Sequence, residues 1–245
     1  MKISDGHYRS KLPFRARGLA QMSARIGDVG ADVDARLECQ PVVRVLDLGC
    51  GYGTALLELR QRYGARVDLH GLNRQPRDGD LEILMRNGIE RGLVATDLPP
   101  EPPLPPLPVI HHADAGAGLP FADGSFDLVV SQVAWLYFGN KVAVLREVSR
   151  ILRDDGLARI DADEVHPALP AEYARLVEIW EQGRLIPLGK YLARYGGAFV
   201  LAAEGEYLRF GKLVHFAEDL ERVFEVDTNA IHAHWDGSKC VYRML

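Results

Sequence analysis

The sequence predicts an α/β protein built on a doubly wound, mostly parallel sheet, and three observations predict it. Residues 42–48 form a near-continuous apolar run, as a strand buried on both faces requires. That run passes straight into Gly49-Cys50-Gly51-Tyr52-Gly53, alternate glycines that allow a tight turn and close approach of backbone to a ligand. Strand-like and helix-like segments then alternate as far as residue 161.

Residues 1–40 begin with Lys2, Arg9, Lys11, Arg15 and Arg17 and continue as a helical stretch over 18–37. This segment reads either as a cap closing over the site, which would bring His7 and Tyr8 to a substrate, or as a helix packed on the sheet edge. After the glycine turn, 54–63 continues as a helix ended by Gly64, and 66–72 is the second strand. Asn73-Arg74-Gln75-Pro76 follow at its carboxyl end, where open parallel sheets bind ligands. A short helix over 81–87 is closed by Gly88. Positions 99–108 hold seven prolines in ten, which predicts an extended connection, a stiff spacer or a protein-recognition segment.

The third strand is 109–113, with His111 and His112 on opposite faces, and Asp114 ends it. The fourth is 126–132, whose carboxyl end delivers Ser131, Gln132 and Trp135. A helix over 140–152 carries Val142, Leu145, Val148 and Ile151 as a core stripe, and the fifth strand, 157–161, follows Asp154-Asp155-Gly156. Asp161-Ala162-Asp163-Glu164-Val165-His166-Pro167 then gathers ionisable groups at the carboxyl end of the sheet. His166, with a reference pKa of about 6.5, suits proton transfer and Glu164 suits orienting it; the alternative is a solvated loop. Residues 167–216, with Trp180, Lys190, Tyr191, Tyr195 and Tyr207, are long enough for a substrate lid. The segments 224–235 and 239–245, around Asp236-Gly237-Ser238, read as a hairpin with His232 and His234 on one face.

The glycine turn, Leu119-Pro120-Phe121-Ala122-Asp123-Gly124-Ser125-Phe126-Asp127 and the later Glu147-Val148-Ser149-Arg150-Ile151-Leu152 occur in an order that resembles the class I S-adenosylmethionine-dependent methyltransferases, in their small-molecule, type 11-like branch. The resemblance covers about residues 41–161. It implies a Rossmann-like fold: a mostly parallel seven-stranded sheet completed by an antiparallel C-terminal hairpin, with a helical N-terminal cap and a lid insertion. It also implies S-adenosylmethionine as cofactor, held by Asp47, Gly49, Cys50, Gly51 and Gly53. Asn73 would take the place of the family's ribose-binding acid, Asp114 and Ala115 would meet adenine, and Gln132 the methyl-donor side. Trp135 and Tyr8 would touch the acceptor, and His166 and Glu164 would be catalytic. Asp127 reads as a structural tie at the strand start.

The 245 residues, 47% of them hydrophobic, suffice for one domain. It divides into a cap (1–40), a cofactor-binding core (41–161), an acceptor and lid region (162–223) and C-terminal strands (224–245). A net charge of −5 without a basic block disfavours nucleic acid as partner and favours a small molecule. Cys39, Cys50 and Cys240 have no paired metal spacing, so no metal is expected. No signal peptide and no run of about 20 apolar residues is visible, which reads as a reducing, cytoplasmic setting without a membrane. Three functions remain: methyl transfer to an oxygen or nitrogen of a small molecule, a non-methylating cyclisation or elimination on the same fold, and a non-catalytic subunit with a protein partner.

Overall fold

The structure is a computed structural model that describes residues 16–95, 106–134, 138, 141–161, 178–181, 184–187, 200–201, 207–212, 231–235 and 240–244. Its main sheet has the order β3-β2-β1-β4-β5-β9-β8. The strands β1 (Val43–Leu48), β2 (Val67–Asn73), β3 (Val109–His112), β4 (Phe126–Ser131) and β5 (Leu152–Asp161) are parallel. The antiparallel strands β9 (Tyr207–Gly211) and β8 (Val200–Leu201) extend the edge beyond β5.

Alternation along the central strands explains the two helical layers. Val45, Leu128 and Val130 point to one face, where Met22 and Ile26 of α1 (Leu19–Ile26), Val29 and Val33 of α2 (Val29–Leu37), and Leu56 and Leu59 of α3 (Thr54–Tyr63) cover them. Leu46, Leu48 and Val129 point to the other, under Leu145, Val148 and Ile151 of α5 (Lys141–Ile151). Buried on both faces, β1 and β4 read in the sequence as nearly unbroken apolar runs.

Several elements differ from the sequence reading. The stretch over 18–37 is two helices, broken at Gly27, with Asp28 capping the second by accepting from the Ala31 amide (3.0 Å). Both lie on a face of the sheet, because their apolar stripes join its core. The helix α4 (Leu81–Glu90) runs past Gly88. That glycine is a packing position: a β-carbon there would come within 2.9 Å of Leu57 Cδ1. The second strand ends one residue later than expected, so Asn73 belongs to it. The C-terminal hairpin, β10 (Ile231–Trp235) with β11 (Cys240–Met244), pairs as expected but forms its own two-stranded sheet, so the antiparallel edge comes from β8 and β9 instead. A further pair, β6 (Glu178–Glu181) and β7 (Arg184–Pro187), also stands as a separate ribbon. Most of the proline-rich segment and of the lid region lies outside the described residues. Among the described residues no helix is long and apolar enough to cross a membrane.

Candidate functional site

The strand order reverses direction at β1, whose neighbours are β2 and β4, and such a switch point opens a crevice at the carboxyl ends of the strands. The glycine turn lies there. Gly49, Gly51 and Gly53 have φ of 79°, 56° and 70°, values that side chains with a β-carbon rarely adopt. The turn is anchored where the strands end: the Gly49 amide donates to Leu72 O (2.7 Å), and Ser131 Oγ donates to Leu48 O (2.9 Å). Ala134 and Leu84 occupy the places where β-carbons on Gly49 and Gly53 would stand, so the protein's own packing favours glycine at both positions.

Asp47, at the end of β1, is only 3% exposed, and its Oδ1 has no hydrogen-bond partner among the described residues. Burial pushes its carboxyl up to about 7. A buried carboxylate oxygen left unmatched beside a glycine turn suits a cationic or hydrogen-bond-donating ligand group. The neighbouring Cys50 thiol is pushed well up, first by burial and then by the Asp47 charge, which makes it an inert wall.

Asn73 has its side-chain amide bonded to the protein's own backbone. Its Oδ1 accepts from the Gly51 amide (2.9 Å), and its Nδ2 donates to Gly51 O (2.9 Å) and Gly79 O (2.7 Å). Both side-chain donors are committed to backbone carbonyls in a residue 3% exposed, and the ribose contact expected of its carbonyl has one acceptor position left on Oδ1. Gln132 also reaches the protein's own backbone. Its Nε2 donates to Gln21 O of α1 (2.9 Å), so that N–H group holds a helix. Asp114 is half-exposed; it caps its own turn by accepting from the Gly116 amide (3.0 Å) and stands 3.4 Å from Arg74 Nη2. Ala115 begins that turn and is buried. Both lie just past β3, beside the ends of β2 and β1. Glu164, His166, Trp135 and Tyr8 lie outside the described residues.

Other residues singled out in the sequence turn out to be scaffold. His111 Nε2 lies 3.0 Å from His70 Nδ1 among Phe121 and Phe126, and burial lowers both imidazoles. His112 faces the opposite way, with Nε2 3.2 Å from Gly79 O. Asp127 accepts from the Arg44 amide (2.7 Å), tying the start of β4 to β1 as expected. Asp161, the first residue of the acidic cluster, is buried and accepts from Arg25 Nε (2.7 Å) and the Val133 amide (3.1 Å). Sequence reasoning missed that last contact. Val133 has φ 67°, an unusual conformation for a β-branched residue, and Asp161 holds it beside the glycine turn. Only pairing of the strand ends reveals it. Among the described residues no group of three metal-ligating side chains occurs.

With this geometry in place, comparison with known proteins shows what the domain is similar to. Residues 46–160 match the model of the family described as "Methyltransferase domain". This segment is similar to known methyltransferases. The chain is 31% identical over 121 residues to a glycine/sarcosine/dimethylglycine N-methyltransferase of Actinopolyspora halophila, covering 49% of this chain and 19% of that protein. It is 32% identical over 171 residues to the ubiquinone/menaquinone biosynthesis C-methyltransferase UbiE of Xanthomonas oryzae, covering 68% of this chain and 60% of that one. This chain therefore matches from a fifth to three fifths of these relatives' length. A crystal structure of a SAM-dependent methyltransferase from Aquifex aeolicus is 16% identical with a TM-score of 0.46, over 73% of this chain and 89% of that one.

The residues present fit the family's cofactor. The unmatched Asp47 Oδ1 and the positive-φ turn form a polar, close-approach floor, and Asp114 leaves half its side chain at the surface beyond it.

Proposed function

We propose that this protein transfers the methyl group of S-adenosylmethionine to an oxygen or nitrogen of a small molecule. One observation carries the proposal: the buried, unmatched Asp47 carboxyl beside three positive-φ glycines at the switch point of the sheet. Asp47 would hold the ammonium of the methionyl portion, the 49–53 turn would lie against its backbone, and Asp114 with the Ala115 amide would meet the adenine edge. When bound, the cofactor supplies an electrophilic methyl on a sulfonium. The chain's own contribution is alignment: Ser131 fixes β4 to β1, and Asp161 fixes Val133 and Arg25 at the rim, so the pocket floor is rigid before binding. A base for the acceptor proton is assigned on sequence to His166, with Glu164 orienting it, and acceptor contacts to Trp135 and Tyr8. A small-molecule acceptor and a setting without nucleic acid are consistent with the acidic net charge of −5.

A second reading, the same pocket used without methyl transfer, is favoured by Asn73, since a neutral amide already committed to backbone stands at the family's ribose-binding acid. Titration calorimetry with S-adenosylmethionine and S-adenosylhomocysteine separates the readings from the fold alone. Micromolar binding of both is expected. Absence of binding at millimolar concentrations would overturn the methyl-transfer proposal, and binding without methyl loss to any amine, hydroxyl or phenol acceptor would favour the second reading.

A further inference from the structure

The geometry points to Asn73 as a positioning residue that stitches the glycine turn to the Pro76–Asp78 turn, in a role that a carboxylate cannot fill. The two turns come from different strand ends, β1 and β2, and meet face to face. A β-carbon on Gly79 would collide with the Gly51 carbonyl oxygen, and Gly79 itself has φ 145°, so the backbones are in direct contact there. Asn73 sits at the meeting point with all its hydrogen-bonding protons engaged. One N–H goes to each turn, at Gly51 O and Gly79 O, and its carbonyl receives the Gly51 amide. His112 Nε2, 3.2 Å from Gly79 O, braces the same turn from β3. Two of the three Asn73 bonds need the side chain to donate, and an ionised aspartate has no proton to give. Facing the Gly51 and Gly79 carbonyls, a carboxylate would replace two attractions with two repulsions between buried acceptors.

The departure from the family's acid is therefore matched by a local rearrangement: the 74–79 segment folds back onto the glycine turn, and the amide is the residue that closes it. The consequence is a preformed wall on the ribose side of the pocket, with one remaining acceptor site on Asn73 Oδ1. The inference about ligand binding rests on the pocket being an S-adenosylmethionine site; the stitch itself does not.

The substitution that separates roles is Asn73→Asp, because the two have opposite signs. If Asn73 were a ribose ligand, the acid would strengthen binding of S-adenosylhomocysteine by restoring a charge-assisted acceptor. As a stitch, the acid is expected to weaken that binding by about tenfold or more. In the cofactor-free protein it is also expected to speed hydrogen exchange at the Gly51 amide and thiol labelling of Cys50, read by peptide mass mapping, by at least about tenfold. Labelling of the exposed Cys39 should not change. These losses should diminish toward about pH 5, where a carboxyl raised by two facing carbonyls regains a proton and can donate once. Tighter binding by Asn73→Asp, or unchanged Gly51 exchange and Cys50 labelling, would overturn the inference. Should the variant not fold, the wild-type protein still decides it: a Gly51 amide that exchanges as fast as an open turn refutes the stitch. If wild type binds no S-adenosylhomocysteine while Asn73→Asp loosens the turn, the stitch stands and the proposed function falls.

Discussion

Two stretches lie within the segment that matches the methyltransferase model, yet the structure gives them opposite characters. The 119–123 segment and the Glu147–Arg150 pair are bonded to one another. Glu147 accepts from the Leu119 amide (2.7 Å), and Arg150 donates to Phe121 O (2.8 Å), Leu119 O (3.0 Å) and the Asp123 carboxylate (2.7 Å). Hydrogen bonding from Arg150 holds the Glu147 carboxyl below its usual range. The glycine turn, by contrast, combines three left-handed backbones with a buried carboxyl that lacks a partner. The first stretch is closed on itself and the second is incomplete. A motif match does not distinguish them, because both scaffold and site impose residue types; nor does an unmatched buried oxygen by itself, since Asp127 Oδ1 at the start of β4 is another, and what sets Asp47 apart is its place beside three left-handed glycines at the switch point of the sheet.

Substitutions should separate the two regions. The largest effect is expected from Gly51→Val: a β-branched residue at φ 56° is strained by more than ~1 kcal/mol, and its bulk fills the turn. Calorimetry should detect no S-adenosylhomocysteine binding, and wild-type affinity would refute the ligand-facing role of the turn. Asp47→Asn comes next and changes stability and binding in opposite directions. With a folded pKa of about 7 against an unfolded value of about 3.9, Asp47 holds its proton more tightly when folded. Wild-type stability therefore falls as pH rises between those values and stays low above them, by a ceiling on the order of 4 kcal/mol. The amide lacks this fall, so the variant should melt higher than wild type at pH 8 and much the same at pH 4, while binding the cofactor at least about tenfold more weakly. Parallel pH dependence of the two melting curves would show that Asp47 is not buried as a carboxyl.

In the closed region, Arg150→Ala should cost about 2 kcal/mol in urea denaturation, since it strands the Leu119 and Phe121 carbonyls and Glu147. Cofactor affinity should change less than about threefold. A loss of binding larger than the loss of stability would erase the distinction drawn between the regions. The smallest effect is expected from Asp114→Ala. Removing the cap to the Gly116 amide costs about 1 kcal/mol or less, and the missing adenine contact should weaken binding several-fold with unfolding still cooperative. Unchanged affinity would leave Asp114 as a turn cap alone.

The central fold was legible because burial on both faces writes itself into composition: β1 and β4 are apolar almost throughout, and the glycine turn and α3 follow in register with what was read. The helix over 81–90 was cut short because a packing glycine and a terminating glycine look alike in one dimension. The edge of the sheet was assigned to the wrong segment, since a hairpin signal specifies its own pairing and not the sheet it joins.

The sequence by itself determined the α/β class, the order of the central elements and the position of the glycine turn, all of which follow from local periodicity and from glycine's conformational range. Tertiary structure alone decided what the polar side chains do. Asn73, Gln132 and Asp161 each look like ligand groups at strand ends, and each hydrogen-bonds across the fold to backbone brought near by a different strand or helix, at Gly51, Gln21 and Val133. A side chain's hydrogen-bond partners depend on what the fold places around it, and that neighbourhood is not written in its own position along the chain.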